Sequence, residues 1–396
     1  MSYTEIKPGI RYVGVNDRRS TLFEGLWSLQ KGVSYNSYLV IGEKIALIDT
    51  VEEGFGSELF ENIRHEIGDR KIDYLVVNHM EPDHSSSMAQ LRALYPEIEI
   101  VGNAKTLQMI DGYYGLKEGL REVKEGDTLD LGGKTLSFYL IPMVHWPETM
   151  VTYCNEDKTI FSGDAFGTFG ALDGGLTDQR QHFEDYRDEM RRYYATIVGK
   201  YGIPVQKALQ KVKKLMPETI CTTHGPVWQR DVEKVIALYD QMSRYEAEDG
   251  VVIAYGSMYG NTEHMAEHIA RELSEAGVEK IVLYNMSVAD ESMVLRDLFR
   301  YNTLIVGSPT YNGVLFPPIE KLLNAIALRG YGKRNFCAFG SFTWANTATR
   351  QLGEFATKMK WEPLAPIAEM KQGYSEEKNG DTCREIARAV AKVIVK

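Results

Sequence analysis

The stretch VVNHMEPDHSSSM, residues 76–88, decides how the first half of this chain is read. A β-branched run, read as a strand over Tyr74–Val77, stops, and His79, Glu81, Asp83 and His84 follow at once. Two imidazoles and two carboxylates add nothing to a core. A turn between that strand and a helix start at SSSMAQL, however, can aim several side chains at one point. Three further places share the form, an apolar strand ending on a ligand-type residue beside Pro or Gly. They are LIPMVHWP with His145, TIFSGDAFG with Asp164 and TICTTHGP with His224. Strand ends along one sheet edge converge, which predicts a single pocket. Four imidazoles and three carboxylates exceed one tetrahedral zinc and match two metals sharing a bridging carboxylate. A histidine alone is more often a hydrogen-bonded structural residue, but four coincident strand-end sites argue against that reading.

At 396 residues the chain is long enough for two cores. An apolar fraction of 44% with 25% charged residues describes a globular protein. A formal charge of -10 argues against unspecific nucleic-acid binding, because a polyanion would be repelled. No apolar run is long enough to cross a bilayer, and the opening MSYTEIKPGI lacks the basic-then-apolar layout of a secretory signal. Cys154, Cys221, Cys337 and Cys383 lie far apart with no C-x-x-C pair, as suits free thiols in a reducing cytosol. These features predict a cytoplasmic protein with no nucleic-acid or membrane partner.

Short β-like runs appear at Tyr38–Ile41, Ala46–Asp49, Ile98–Val101, Leu136–Ile141, Met150–Tyr153 and Thr159–Ser162. Helical periodicity marks Ser57–His65, Ala104–Tyr113, Glu184–Val198 and Val205–Leu215, then Val232–Tyr245. After the acidic EAEDG the order becomes strictly β-α-β-α, from VVIAY to a final helix reaching Val395. The change predicts two domains, 1–247 and 248–396, the second a doubly wound parallel sheet.

In that second domain VVIAYGSMYGNTEHMAEHI sets Ser257, Met258, Tyr259, Gly260, Asn261 and Thr262 between a strand and a helix. Hydroxyls and free N–H groups at a helix N-terminus suit a phosphate monoester. The segment carries neither Gly-Lys-Ser/Thr nor G-x-G-x-x-G, which excludes the triphosphate and dinucleotide loops. Two more strand-end loops complete a crevice. GSPTYNG holds Pro309, Thr310, Tyr311, Asn312 and Gly313; GSFTWAN holds Ser341, Phe342, Thr343, Trp344 and Ala345. Tyr311 and Trp344 offer aromatic surface for an isoalloxazine. His264-Met-Ala-Glu267-His268 spells a zinc-peptidase-like H-x-x-E-H, but its place on the helix after the phosphate loop favours a solvated face. His65 and His182 have no sequence partners and are read as surface residues.

The first motif resembles that of the metallo-β-lactamase superfamily, His-x-His-x-Asp-His, with Glu81 in place of the second histidine. A carboxylate there makes the site harder and more anionic, which favours iron over zinc. With His145, Asp164 and His224, and with a flavodoxin-like half after the lactamase-like one, essentially the whole chain resembles the flavodiiron proteins. The resemblance implies an αββα sandwich followed by a flavodoxin-like sheet, FMN, and two iron ions. It implies that His79, Glu81 and His145 hold one iron, Asp83, His84 and His224 the other, with Asp164 bridging. It implies reduction of dioxygen to water, nitric oxide to nitrous oxide, or both, with electrons from a separate rubredoxin-like protein or a reduced deazaflavin. Sites on separate domains need not meet within one chain, and the family answers with a head-to-tail homodimer, or a tetramer built from it. Tyr193 and Tyr194 of RRYYATIV resemble a family tyrosine near the irons, and Tyr194 is the choice made here. Two departures stand out. The loop at residues 342–346 lacks the glycines common in relatives, and Phe23-Glu24-Gly25 replaces a usual pocket histidine, which bears on substrate preference or proton delivery. A zinc hydrolase fused to an electron-transfer domain, and a diiron gas sensor without turnover, are the competing readings.

Overall fold

Strands without polar alternation need cover on both faces. Ile45–Ile48 and Tyr74–Val76 are buried along their whole lengths and run parallel, side by side, in a seven-stranded sheet. Its order is Glu5–Lys7, Ile10–Tyr12, Tyr38–Ile41, Ile45–Ile48, Tyr74–Val76, Glu99–Gly102, Leu120–Glu122. A second sheet sets five strands in chain order: Thr128–Asp130, Thr135–Leu140, Met150–Cys154, Thr159–Gly163 and Thr219–Thr222. One buried cluster joins them, with Tyr38, Ile48 and Val76 of the first sheet meeting Phe138, Met150 and Phe161 of the second. Each such side chain contributes about 1.5–3 kcal/mol through burial. Amphipathic helices supply the outer layers. Gly56–Ile67 buries Leu59, Ile63 and Ile67, and Gly202–Leu215 buries Val205, Leu209 and Val212. The result is the expected αββα sandwich.

This is a computed structural model describing residues 4–395. The chain divides into the units Met1–Ser243 and Arg244–Lys396. In the second unit five parallel strands lie in the order Ile281–Asn285, Glu248–Tyr255, Tyr301–Tyr311, Asn335–Phe342, Ala368–Lys371. By chain position that is 2-1-3-4-5, the flavodoxin order, whose ligand crevice lies beyond the carboxyl ends of the strands. Asn312-Gly313, both at positive φ, turn the third strand back onto Val314–Leu315, the usual chemistry of a two-residue hairpin.

Several elements differ from the sequence reading, the following three among them. The helix expected over Glu184–Val198 is α-helical only across Phe183–Tyr193 and continues as a π-helical turn, Tyr194–Val198. Helix Ala348–Met359 and the fifth strand, Ala368–Lys371, were not anticipated. Gly353 and two threonines thin the helical pattern of the first. The second is a four-residue edge strand with alternate side chains exposed.

Candidate functional site

Parallel pairing in the second sheet brings two of the four strand-end sites together. Thr159–Gly163 and Thr219–Thr222 run side by side, with Gly163 opposite Thr222, so Asp164 and His224 emerge at the same edge. Thr223 ties them, its hydroxyl donating to Asp164 Oδ1 at 2.7 Å. Gly225 at φ +79 lets the chain turn sharply behind His224, where a Cβ would come within 2.1 Å of Thr168 Oγ1. The other sheet delivers His79 just past Tyr74–Val76, and the one-turn helix Pro82–Ser85 carries Asp83 and His84. Buried polar bonds lock the two sheets at this end. Asn78 Nδ2 donates to Phe161 O, Thr152 Oγ1 donates to Asn78 Oδ1, and Asn36 Nδ2 donates to Thr222 O.

All seven sequence-predicted metal residues converge. They form two groups, His79, Glu81, His145 and Asp164 in one and Asp83, His84 and His224 in the other, the ligand atoms of each lying within 4.8 Å of one another. Asp164 faces both. Its Oδ2 is 3.1 Å from His145 Nε2 and 3.4 Å from His79 Nε2, while Oδ1 is 2.9 Å from His84 Nε2 and 3.6 Å from His224 Nε2. Glu81 Oε2 lies 3.0 Å from His145 Nε2 and 3.3 Å from His79 Nε2. Asp83 stands 3.3 Å from both His84 and His224.

The donor set fits a pair of metal ions. Both oxygens of Asp83, and Nε2 of His84 and of His224, are buried and make no hydrogen bond despite this crowding. Lone pairs aimed at a shared point, rather than at protons of each other, produce that pattern. Electrostatics agree. Burial alone would push the imidazolium of His79 down, but Asp164, Glu148 and Glu81 together hold it well above the usual range. His84 and His145 are each raised to about 9, burial being outweighed by Asp164 with Asp83 or Glu81. Burial should raise Asp164, yet His84, His145 and His79 hold it well below the carboxylate range. A pocket with this appetite for protons takes metal cations in their place and releases protons on binding them.

In the second unit a cavity of about 310 Å³ opens at the carboxyl ends of the strands. Residues from all three predicted loops line it: Ser257, Met258, Tyr259, Asn261 and Thr262; Pro309 and Thr310; Ser341, Phe342 and Thr343. Gly260, at φ +89, starts the helix Asn261–Glu275, and its N–H bonds Ser257 Oγ at 3.1 Å. Thr262 and Ser341 share a hydroxyl hydrogen bond of 2.9 Å across the cavity floor. Hydroxyls and a helix N-terminus in one small cavity match a flavin phosphate.

Comparison with known proteins follows both halves of the chain. The ODP family beta lactamase model matches residues 33–225 and the flavodoxin model residues 253–385. An anaerobic nitric oxide reductase flavorubredoxin of Escherichia coli O1:K1 is 32% identical over 403 residues, covering 98% of this chain and 81% of its own. The chain belongs to the flavodiiron protein family. Among solved structures, the rubredoxin oxygen:oxidoreductase of Desulfovibrio gigas matches with a TM-score of 0.94 at 29% identity, covering 99% of this chain and 98% of that one. The flavodiiron protein from Giardia intestinalis matches at 0.93 and 28%, covering 98% and 97%.

In this flavodiiron protein several residues stand elsewhere than the sequence suggested. Tyr194 packs edge-on against Tyr239, with ring centroids 5.1 Å apart. Its neighbour Tyr193 is the one beside the metal residues, 5.5 Å from the His224 ring, with its hydroxyl buried and unbonded. Phe23 and Tyr35 complete an aromatic wall around His224, at 5.2 and 5.8 Å. Tyr311 and Trp344 stand 40% and 89% exposed; neither they nor Gly260, Asn312, Gly313 and Ala345 line the cavity. His264 is exposed, but His268 is not on a solvated face: it is buried against Tyr374. His65 and His182 are exposed, as read. Glu24 takes positive φ in the turn joining Leu22–Phe23 to Trp27–Ser28 and accepts from Trp27 Nε1 at 3.2 Å. Burial, then the carboxylate of Glu81, pushes its carboxyl up to about 7.

Three contributions were missed. Glu148 Oε1 accepts from His79 Nδ1 at 2.8 Å and from the Met80 N–H at 3.0 Å, so it sets which ring nitrogen of His79 is free for a metal. The Ser34 carbonyl does the same for His224 Nδ1 at 2.8 Å. Gln372 and Gly373, beyond the unanticipated fifth strand, form a fourth side of the flavin cavity. Among the described residues no helix is long and apolar enough to cross a membrane, and all four cysteines are free and buried.

Proposed function

We propose that this chain is a flavodiiron oxidoreductase that reduces dioxygen to water, nitric oxide to nitrous oxide, or both. The observation that carries the reading is Asp164, one carboxylate whose two oxygens face two separate clusters of ligand atoms. FMN is the flavin, and two iron ions form the metal centre. His79, Glu81, His145 and Asp164 Oδ2 would hold one iron, and Asp83, His84, His224 and Asp164 Oδ1 the other. Held there, the flavin would supply one-electron transfer and the iron pair would supply the binding and reduction of the diatomic gas.

The protein's own part is geometry, charge and exclusion of water. Glu148 and the Ser34 carbonyl hold the protons of His79 and His224 on Nδ1, leaving Nε2 for metal. Phe23, Tyr35 and Tyr193 keep the His224 side apolar. Tyr193, whose ring lies 5.5 Å from that of His224 and whose hydroxyl is buried and unbonded, is assigned, rather than Tyr194, the role of hydrogen-bond donor to the diatomic substrate. No hydrolysis needs the flavin cavity, and Glu81 disfavours zinc.

Electrons come from a rubredoxin-like protein or a reduced deazaflavin, and the compartment is the reducing cytoplasm that free thiols suit. Steady-state consumption of oxygen and of nitric oxide, run with a chemically reduced donor, tests the activity. At least one gas should be consumed catalytically by protein containing iron and FMN; zinc in the metal site, with neither gas turned over, would contradict the reading. The assembly we propose is a head-to-tail homodimer, for which light scattering on the active fraction should give twice the mass of one chain. An active monomer would remove it.

A further inference from the structure

One half-buried polar chain in the second unit, centred on the buried His268, has no part in the chemistry above. It joins the helix Asn261–Glu275 to the segment that follows the strand Ala368–Lys371. His268, 4% exposed, places Nε2 2.9 Å from Glu272 Oε1. A carboxylate only accepts, so Nε2 carries the proton and Nδ1 is left as the acceptor for the Tyr374 hydroxyl, with which it is bonded. Arg384 Nη1 lies 3.5 Å from Glu272 Oε1 and holds that carboxylate in place. The far end of the chain reaches the flavin cavity. The Tyr374 backbone N–H donates to Asn261 Oδ1 at 3.1 Å, and Asn261 lines the cavity together with Gln372 and Gly373. Gln372 sits at φ +66 with its N–H on Phe342 O at 2.7 Å, so the short segment is pinned at both ends.

The bond to Asn261 has a chemical consequence. An N–H donor must meet the carboxamide oxygen, which commits the Asn261 amide group to the remaining direction as a donor. Terminal phosphate oxygens accept and do not donate, so they need donors already turned toward them. A donor held by a hydrogen-bonded, carboxylate-anchored chain loses little freedom when the ligand arrives.

We propose that Glu272, His268 and Tyr374 are positioning residues for the phosphate end of the flavin, and make the cavity selective for a phosphate monoester. The inference rests on FMN being the resident flavin. It assigns the H-x-x-E-H histidine a role in cofactor selection rather than in zinc binding.

The test uses the full chain stripped of flavin and titrated by fluorescence with FMN and with riboflavin. Tyr374→Phe removes only the hydroxyl that meets His268. FMN should bind about tenfold more weakly, the effect of about one lost hydrogen bond, while riboflavin affinity stays unchanged. His268→Gln, whose amide can both accept from Tyr374 and donate to Glu272, should keep more FMN selectivity than His268→Leu. Equal losses for FMN and riboflavin in Tyr374→Phe would mean a merely structural role and overturn the proposal, as would an unchanged FMN affinity. If the parent chain bound neither flavin, the reading of the cavity itself would fail, a distinct outcome.

Discussion

Asp164→Ala is expected to abolish gas reduction while leaving FMN in place. Among the described residues Asp164 is the one whose two oxygens reach both clusters, so its loss separates the metal positions. It also leaves His79, His84 and His145 without their shared counter-charge. Turnover of either gas should fall by at least about a thousandfold, as when a member of an interdependent catalytic group is deleted. Iron per chain should fall with it, whereas the flavin absorbance should persist, because every residue lining the flavin cavity belongs to the other unit. Far-ultraviolet circular dichroism confirms that the chain remains folded. Retained full activity would contradict the bridging role.

Glu148→Ala is the second large effect. Glu148 never touches the metal position directly; it fixes the proton on His79 Nδ1 and caps the Met80 N–H. Removing such an outer carboxylate lowers metal affinity by about 10- to 100-fold. Competitive titration with an iron chelator should show that loss, with turnover falling in step when iron is limiting. Glu148→Gln keeps an acceptor for the His79 N–H but drops the charge, so it should recover part of the affinity. Equal iron affinity in parent and alanine variant would show that His79 needs no such partner.

The metal residues were legible because each ends an apolar strand beside a turn residue, a pattern that repeats at His79, His145, Asp164 and His224. Pairing did the rest, since parallel neighbours point their carboxyl ends the same way. Glu148 escaped because its importance is a contact across 69 residues of chain, although a carboxylate three positions after His145 in the same loop was a usable hint. The choice between Tyr193 and Tyr194 was beyond periodicity. A regular helix rotates about 100° per residue, but here the helix changes to a π turn at Tyr194, and the phase of the side chains changes with it. Gln372 and Gly373 went unseen because the strand before them, AEMK, is short, edge-placed and half charged. Local sequence marked the ligand types; tertiary contact chose their supports.

The lactamase-like half is a sandwich whose seam runs through its reactive end. His79, Glu81, Asp83 and His84 follow strands of one layer, while His145, Asp164 and His224 follow strands of the other. Any ion gripped by both sets therefore acts as a rivet between layers, and occupancy adds to folding free energy as well as to chemistry. Iron starvation would thus do more than silence the molecule: it would loosen the join, and scarcity of one nutrient would be read out as a shorter lifetime of the whole polypeptide.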